Sequence, residues 1–272
     1  MIARADIDRL LAEDVPAGDL TTDALGIGDR PGRMVFTARG DMVLAGVDVA
    51  ARMMDGLVVS LHARDGDRLS AGAPILEARG SAADLHCAWK AAQTLMEVLS
   101  GIASATRAVV DAAAPVPVAT TRKTVPGARA LSQRAVRAGG GILHRHGLSE
   151  TILVFPEHRL FLAGESLAEI AARLRRTQPE KALAVEVGTI DEAAEAAVAG
   201  FDLVQLEKFT PEAVADLVAR LPAGDRRARL AAAGGIDPGN AAAYVAAGAD
   251  LLVTSWPYTA RPRDVAVRFF AG

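Results

Sequence analysis

Arg122 and Lys123 stand side by side where an apolar run, Pro117-Val118-Ala119-Thr120, gives way to Thr124-Val125-Pro126-Gly127. Two adjacent cations released from a strand end into a loop can hold an anion, and α/β folds bind ligands at the carboxyl ends of their strands. Lysine is scarce: of 30 basic residues only Lys90, Lys123, Lys181 and Lys208 are lysines. The plainer alternative is a solvated strand-end pair. A second cluster, His144-Arg145-His146, follows Gly139-Gly140-Gly141. Glycines let the backbone approach a ligand closely, and the cluster adds donors suited to carboxylate or phosphate. Zinc is disfavoured, because these histidines lack cysteine partners and a spacing of two splays their side chains; a glycine-rich turn beside exposed histidines remains the bland reading.

Two carboxylates lie in apolar surroundings. Glu186 interrupts Ala184-Val185-Glu186-Val187, and Glu207 closes Leu203-Val204-Gln205-Leu206-Glu207. A carboxylate in a buried strand is costly unless paired or bound to metal. Two from neighbouring strands could support Mg²⁺ or stabilise a cationic transition state; the alternative, for Glu207 above all, is an ion pair with Lys208 or a strand-end arginine. Gly234-Gly235 follows the apolar Ala231-Ala232-Ala233 and precedes Ile236-Asp237-Pro238, a helix start whose free amides would favour phosphate. Trp89 and Lys90 fall in a long helical run; Trp89 is core or subunit interface, while His86 and Cys87 read as packing residues.

With 272 residues and 51% hydrophobic content, the chain can bury a substantial core. A net charge of −3 argues against sequence-independent nucleic-acid binding, which needs an electropositive face. The charged first ten residues read as neither secretory signal nor membrane anchor. No run is apolar for the roughly 20 residues of a membrane helix. One cysteine excludes an intramolecular disulfide, and the whole reads as a cytoplasmic protein.

These residues need elements to position them. Residues 1–110 read as a small α/β (α+β) domain. It has a helix around Ile7–Leu11, strands at Met34–Ala38, Met42–Ala45, Leu57–His62 and Pro74–Arg79, a helix over Val47–Met54, and a long helix from Ala82 to about Val110. Residues 111–256 alternate short apolar strands with amphipathic helices. The strands are Val116–Thr121, Thr151–Phe155, Leu183–Val187, Leu203–Glu207, Arg229–Ala233 and Leu251–Ser255. Thr189-Ile190-Asp191-Glu192 and Thr210-Pro211-Glu212 mark helix starts. Such βα repetition means a parallel sheet, and the polar strand ends favour a closed α/β barrel with one mouth. Residues 257–272 read as a C-terminal helix returning to the first domain.

In order and spacing, Asp14-Val15-Pro16-Ala17-Gly18-Asp19-Leu20-Thr21-Thr22, Leu44-Ala45-Gly46, Leu99-Ser100-Gly101-Ile102-Ala103, Thr121 to Gly127, Gly139-Gly140-Gly141 and Gly234-Gly235-Ile236 resemble one family, quinolinate phosphoribosyltransferase, also called nicotinate-nucleotide pyrophosphorylase (carboxylating). The resemblance covers nearly the whole chain. It implies a type II phosphoribosyltransferase architecture and a homodimer whose active site borrows a basic residue from the partner's long helix. It also implies a Mg²⁺-dependent reaction of phosphoribosyl pyrophosphate with quinolinate, giving nicotinate mononucleotide, CO2 and pyrophosphate. Carried over by position, Arg122, Lys123, His144 and Arg145 would bind dicarboxylate and pyrophosphate, Glu186 and Glu207 would face ribose and metal, and Gly234-Gly235 would face the 5′-phosphate. Lys90 stands where the partner-supplied arginine is usual.

There are departures from the family pattern. Its Lys-Asp-Asn-His is here Phe155-Pro156-Glu157-His158, so a substrate-facing lysine is absent although His158 stays in the substrate-binding set. Asp-Asn becomes Glu207-Lys208, with Lys208 a further substrate-binding candidate, and a serine becomes Ala233. Losing one charge-assisted contact costs about 1.5–3 kcal/mol, so several together point to an altered acceptor. Trp89-Lys90, Leu153 to Arg159 and Val253 to Tyr258 resemble the pyrophosphorylase ModD branch, which is associated with molybdate transport. The expected function is phosphoribosyl transfer to a small aromatic acid, with quinolinate the default. The alternatives are a non-catalytic or regulatory binder of a phosphorylated or oxyanion ligand, and a phosphate-binding barrel aldolase using Lys123 as a Schiff base.

Overall fold

The computed structural model describes residues 2–162, 164–222 and 228–272. In chain order the first elements are α1 (Arg4–Asp14), α2 (Leu20–Ala24), β1 (Pro31–Ala38), β2 (Met42–Val43), α3 (Val47–Arg52), β3 (Val58–Leu61), β4 (Arg68–Leu69), β5 (Pro74–Ser81) and α4 (Ala82–Ala113). Next come β6 (Val118–Thr120), α5 (Arg129–Ala138), β7 (Ile142–Leu143), β8 (Ile152–Val154), α6 (Pro156–Arg159), α7 (Leu167–Thr177) and β9 (Leu183–Val187). The last are α8 (Ile190–Val198), β10 (Leu203–Glu207), α9 (Pro211–Arg220), β11 (Arg229–Ala233), α10 (Ala241–Ala246), β12 (Leu251–Thr254) and β13 (Val265–Ala271). The chain forms two compact units, one of Met1–Arg107, Thr124–Gly140 and Pro257–Gly272, the other of Ala108–Lys123 and Gly141–Trp256.

The first unit is built on an antiparallel sheet of order β13-β1-β5-β3. The final residues are therefore a strand, not the expected helix. Val265-Ala266-Val267-Arg268-Phe269-Phe270-Ala271 is rich in β-branched and aromatic side chains, and it gains a full ladder on β1, from Gly32 opposite Ala271 to Ala38 opposite Val265. Within this unit α4 buries Leu85, Ala88, Ala92, Met96, Leu99 and Ala103, a stripe at three- and four-residue spacing. The segment around α5, read from the sequence as part of the barrel, groups with this unit instead. Arg134 holds it there, donating from Nη2 to Asp48 at 2.8 Å and to Asp65 at 2.9 Å.

The second unit carries a seven-stranded sheet of order β7-β6-β12-β11-β10-β9-β8, every adjacent pair parallel. β9, β10 and β11 have the bounds their apolar runs predict. The sheet is a half-barrel rather than the closed barrel expected: among the described residues β7 and β8 are edges and do not pair. Alternate residues face opposite sides. Val185, Val204, Leu206 and Leu230 bury into the layer formed with the helices, and Ala119, Ala231, Ala233 and Val253 cluster on the inner face. Side chains this small leave room for a ligand where bulkier ones would fill a barrel.

Candidate active site

A cavity of about 560 Å³ opens at the carboxyl ends of the parallel strands. Of the candidates named from the sequence, Arg122, Lys123, His144, Arg145, Glu186, Glu207, Lys208, Gly234 and Gly235 all line it. Lys90 and His158 do not. Lys90 is an exposed residue of the first unit, with Nζ 3.4 Å from Gln93 Oε1 and 5.5 Å from the Trp89 ring centre. His158 sits at the start of α6, where its Nδ1 accepts from the Phe155 amide at 2.9 Å and its ring stacks on Phe155 at 5.9 Å; it positions that turn and its aromatic ring.

The cationic wall comes from the ends of β6 and β7. Among the described residues no salt bridge engages Arg122, Lys123, Arg145 or Lys208. Arg145 is only 7% exposed, and both burial and the field of Arg122 push its pKa down. A buried guanidinium whose close charged neighbour is another guanidinium is a costly arrangement that a bound anion relieves. His144 is also pushed down, first by burial and then by Arg145, so near neutrality it serves as a hydrogen-bonding group rather than a cation.

The opposite wall holds the carboxylates. Glu186 on β9 is paired in register with Gln205 on β10, whose Nε2 donates to Glu186 Oε2. Burial, then repulsion by Glu207 and to a lesser extent Glu157, raise the Glu186 pKa against the help of that hydrogen bond. The sequence-level ion pair between Glu207 and Lys208 does not form. Among the described residues no three His, Cys, Asp or Glu side chains cluster as a metal site. Two carboxylates nevertheless suit Mg²⁺, which takes one or two from a protein and completes its shell with phosphate oxygens and water.

The glycine pair works through its backbone. Gly234 has φ +92° and Gly235 φ +75°, and a Cβ on Gly234 would lie 2.8 Å from Lys208 Cγ and 3.1 Å from the Lys208 amide nitrogen. Lys208 itself has φ 58°, the one non-glycine residue with positive φ among those described, and its amide donates to Ala233 O at 2.7 Å. The two loops thus lock together where the cavity needs backbone atoms. The expected helix start at Asp237 is displaced: α10 begins at Ala241, and Asp237 Oδ1 accepts from the Gly239 amide at 2.7 Å and the Asn240 amide at 3.1 Å. Those amides are satisfied within the turn, which removes the helix-dipole argument for phosphate there.

Gln205, Phe155 and Glu157 also line the cavity without having been assigned a role from sequence. Gln205 had a legible signal, being a polar side chain two residues before Glu207 and so on the same strand face. Phe155 and Glu157 read only as losses of family residues.

The described geometry agrees with the comparisons to known proteins. Models for the quinolinate phosphoribosyl transferase C-terminal and N-terminal domains match residues 102–268 and 19–100. A Rhodobacter capsulatus protein named "Putative pyrophosphorylase ModD" is 47% identical over 86% of this chain and 92% of its own. The "Probable nicotinate-nucleotide pyrophosphorylase (carboxylating)" of Archaeoglobus fulgidus is 33% identical over 89% and 94% of the two chains. The crystal structure of the nicotinate-nucleotide pyrophosphorylase from Francisella tularensis superposes with a TM-score of 0.89 at 25% identity, covering 99% of this chain and 98% of that one.

Proposed function

The chain belongs to the quinolinate phosphoribosyltransferase family, and from that premise we propose that it transfers the phosphoribosyl group of phosphoribosyl pyrophosphate to a heteroaromatic acid. The observation that carries this reading is the set of four cations, Arg122, Lys123, Arg145 and Lys208, that make no salt bridge among the described residues and line one cavity with Glu186 and Glu207.

The chemistry asks for both signs of charge. The bond from ribose C1 to the pyrophosphate oxygen breaks, pyrophosphate leaves with the electron pair, and a ring nitrogen of the acceptor bonds to C1. Positive charge builds on the ribosyl centre while a polyanion departs. Arg122, Lys123 and Arg145 stabilise the leaving group, and Glu186 and Glu207 face the ribosyl cation; such preorganised charge is worth most in a site that excludes water. Gly234 and Gly235 offer close backbone approach to the 5′-phosphate. Glu186 and Glu207 would also hold Mg²⁺, which when bound neutralises pyrophosphate charge. If the acceptor is quinolinate, its ring carboxylate next to the nitrogen then departs as CO2 and the carbon takes up a proton. Lys90 is assigned to the cavity of a second copy in a homodimer.

The test is to incubate purified protein with Mg²⁺, phosphoribosyl pyrophosphate and quinolinate or related acids, following pyrophosphate and nucleotide product together. Matched appearance of both is expected for at least one acid. Binding of phosphoribosyl pyrophosphate without turnover on any acid would leave a non-catalytic binder, and no binding at all would sink the reading.

A further inference from the structure

Three adjacent strands bring unlike groups to one level of the cavity. Val154 on β8 is the register partner of Val185 on β9, so Phe155, the next residue, is level with Glu186; Glu186 in turn partners Gln205 on β10. All three side chains line the cavity. Phe155 is half-buried, with the His158 ring stacked on it and the Arg145 guanidinium 5.5 Å from its ring centre. Gln205 is 6% exposed. Its amide nitrogen donates to Glu186 Oε2, an acceptor-only group when ionised, and this leaves Gln205 Oε1 buried without a donor among the described residues. Glu157 lines the same wall and lies within electrostatic reach of Glu186.

This wall is built of a π face and hydrogen-bond acceptors; the cations that reach it are Arg145, over the Phe155 ring, and Lys123, whose field acts on Glu186. A flat ring stacks on Phe155, and Arg145 beside it takes one carboxylate of that ring. A second carboxylate directed at Glu157 and Gln205 Oε1 would meet like charge and an acceptor where it needs donors. An N–H or O–H group meets the opposite. Resting on the phosphoribosyl-transfer reading of this cavity, we propose that the acceptor is a planar heteroaromatic monocarboxylate bearing a hydrogen-bond donor, selected by Phe155 and Gln205, rather than a dicarboxylate.

The experiment is calorimetric titration of the wild-type protein with quinolinate, nicotinate and the ortho-amino derivative of nicotinate, each with and without Mg²⁺ and pyrophosphate. The amino acid should bind tightest and the diacid weakest, each step about tenfold, the size of one charge-assisted or buried hydrogen bond. Phe155→Lys should invert the order of quinolinate and nicotinate. Gln205→Met, which keeps volume but removes the acceptor, should erase the advantage of the amino group. Tightest binding of quinolinate by the wild-type protein overturns the proposal whatever the variants do, as does failure of all three acids to bind. Phosphoribosyl pyrophosphate is titrated separately: its failure to bind counts against the phosphoribosyl-transfer reading, whereas the order of the acids scores this proposal alone.

Discussion

Asp202 and Glu186 lie at opposite ends of neighbouring strands in the same sheet, and their surroundings treat them in opposite ways. Asp202, just before β10, accepts from Arg175 Nη2 at 2.6 Å and from the Leu183 amide at 2.7 Å. Burial works against its charge, but those hydrogen bonds and the fields of Arg175 and Arg229 outweigh burial and hold its pKa below the ordinary range. Asp250, just before β12, likewise accepts from the Leu230 amide at 2.8 Å. At the carboxyl end, burial and Glu207 push Glu186 up, while Arg145 is buried beside Arg122. Charges at the amino end are satisfied by the protein itself and serve the fold. Glu186 and Arg145 at the carboxyl end are instead buried beside like charge.

The largest expected effect tests that division directly. Arg145→Ala should lower phosphoribosyl pyrophosphate affinity or turnover by about a hundredfold, the loss of a buried charge-assisted contact. Its melting temperature should hold or rise, because repulsion from Arg122 is relieved; a large fall in melting temperature with unchanged activity would erase the contrast. Asp202→Ala should do the reverse. It should lose about 1–2 kcal/mol in urea denaturation, a figure reduced for its partial exposure, while the folded fraction keeps full activity.

A pH titration sharpens the comparison by sign. The raised pKa of Glu186 means the folded protein takes up its proton before the unfolded chain does, so its contribution to stability falls as pH rises through that raised value. Glu186→Gln should therefore stabilise the protein near neutral pH while turnover drops. Asp202 is depressed, so its contribution is present above the ordinary carboxylate range and is lost as pH falls through its folded pKa. The stability differences from wild type should both grow as pH rises from the acid side but with opposite sign, Glu186→Gln above wild type and Asp202→Ala below it; differences of the same sign would refute the assignment.

The smallest effect concerns the strained loop. Lys208→Gly removes a side chain from left-handed backbone and should gain up to about 1 kcal/mol in stability, partly offset by the freedom glycine has when unfolded. If Lys208 serves the pyrophosphate end of the cavity, the same variant loses affinity for that ligand, which titration calorimetry would detect.

Much of this was legible in the chain. Leu183–Val187, Leu203–Glu207 and Arg229–Ala233 are bounded as their apolar runs predict, because buried parallel strands have no solvent face to blur the pattern. Thr210-Pro211 starts α9, with Thr210 Oγ1 accepting from the Ala213 amide at 3.2 Å. The failures have physical causes too. Val265–Ala271 has a strand-forming composition that the helix expectation passed over and that the ladder on β1 completes, and Asp237 spends its side chain on turn amides instead of starting a helix. Gln205 shares a strand face with Glu207, a signal present in the sequence, but its link to Glu186 depends on the register between β9 and β10.

Residue types and their order determined the parallel strands, the family, and which cations and carboxylates could meet, since those follow from hydrophobic period and motif spacing. Only the tertiary structure decided that the sheet stays open between β7 and β8, that Lys90 and His158 lie outside this chain's cavity lining, and that Phe155, Glu186 and Gln205 share one level. Each of those depends on register and on contacts between residues far apart in the chain, which no local pattern encodes.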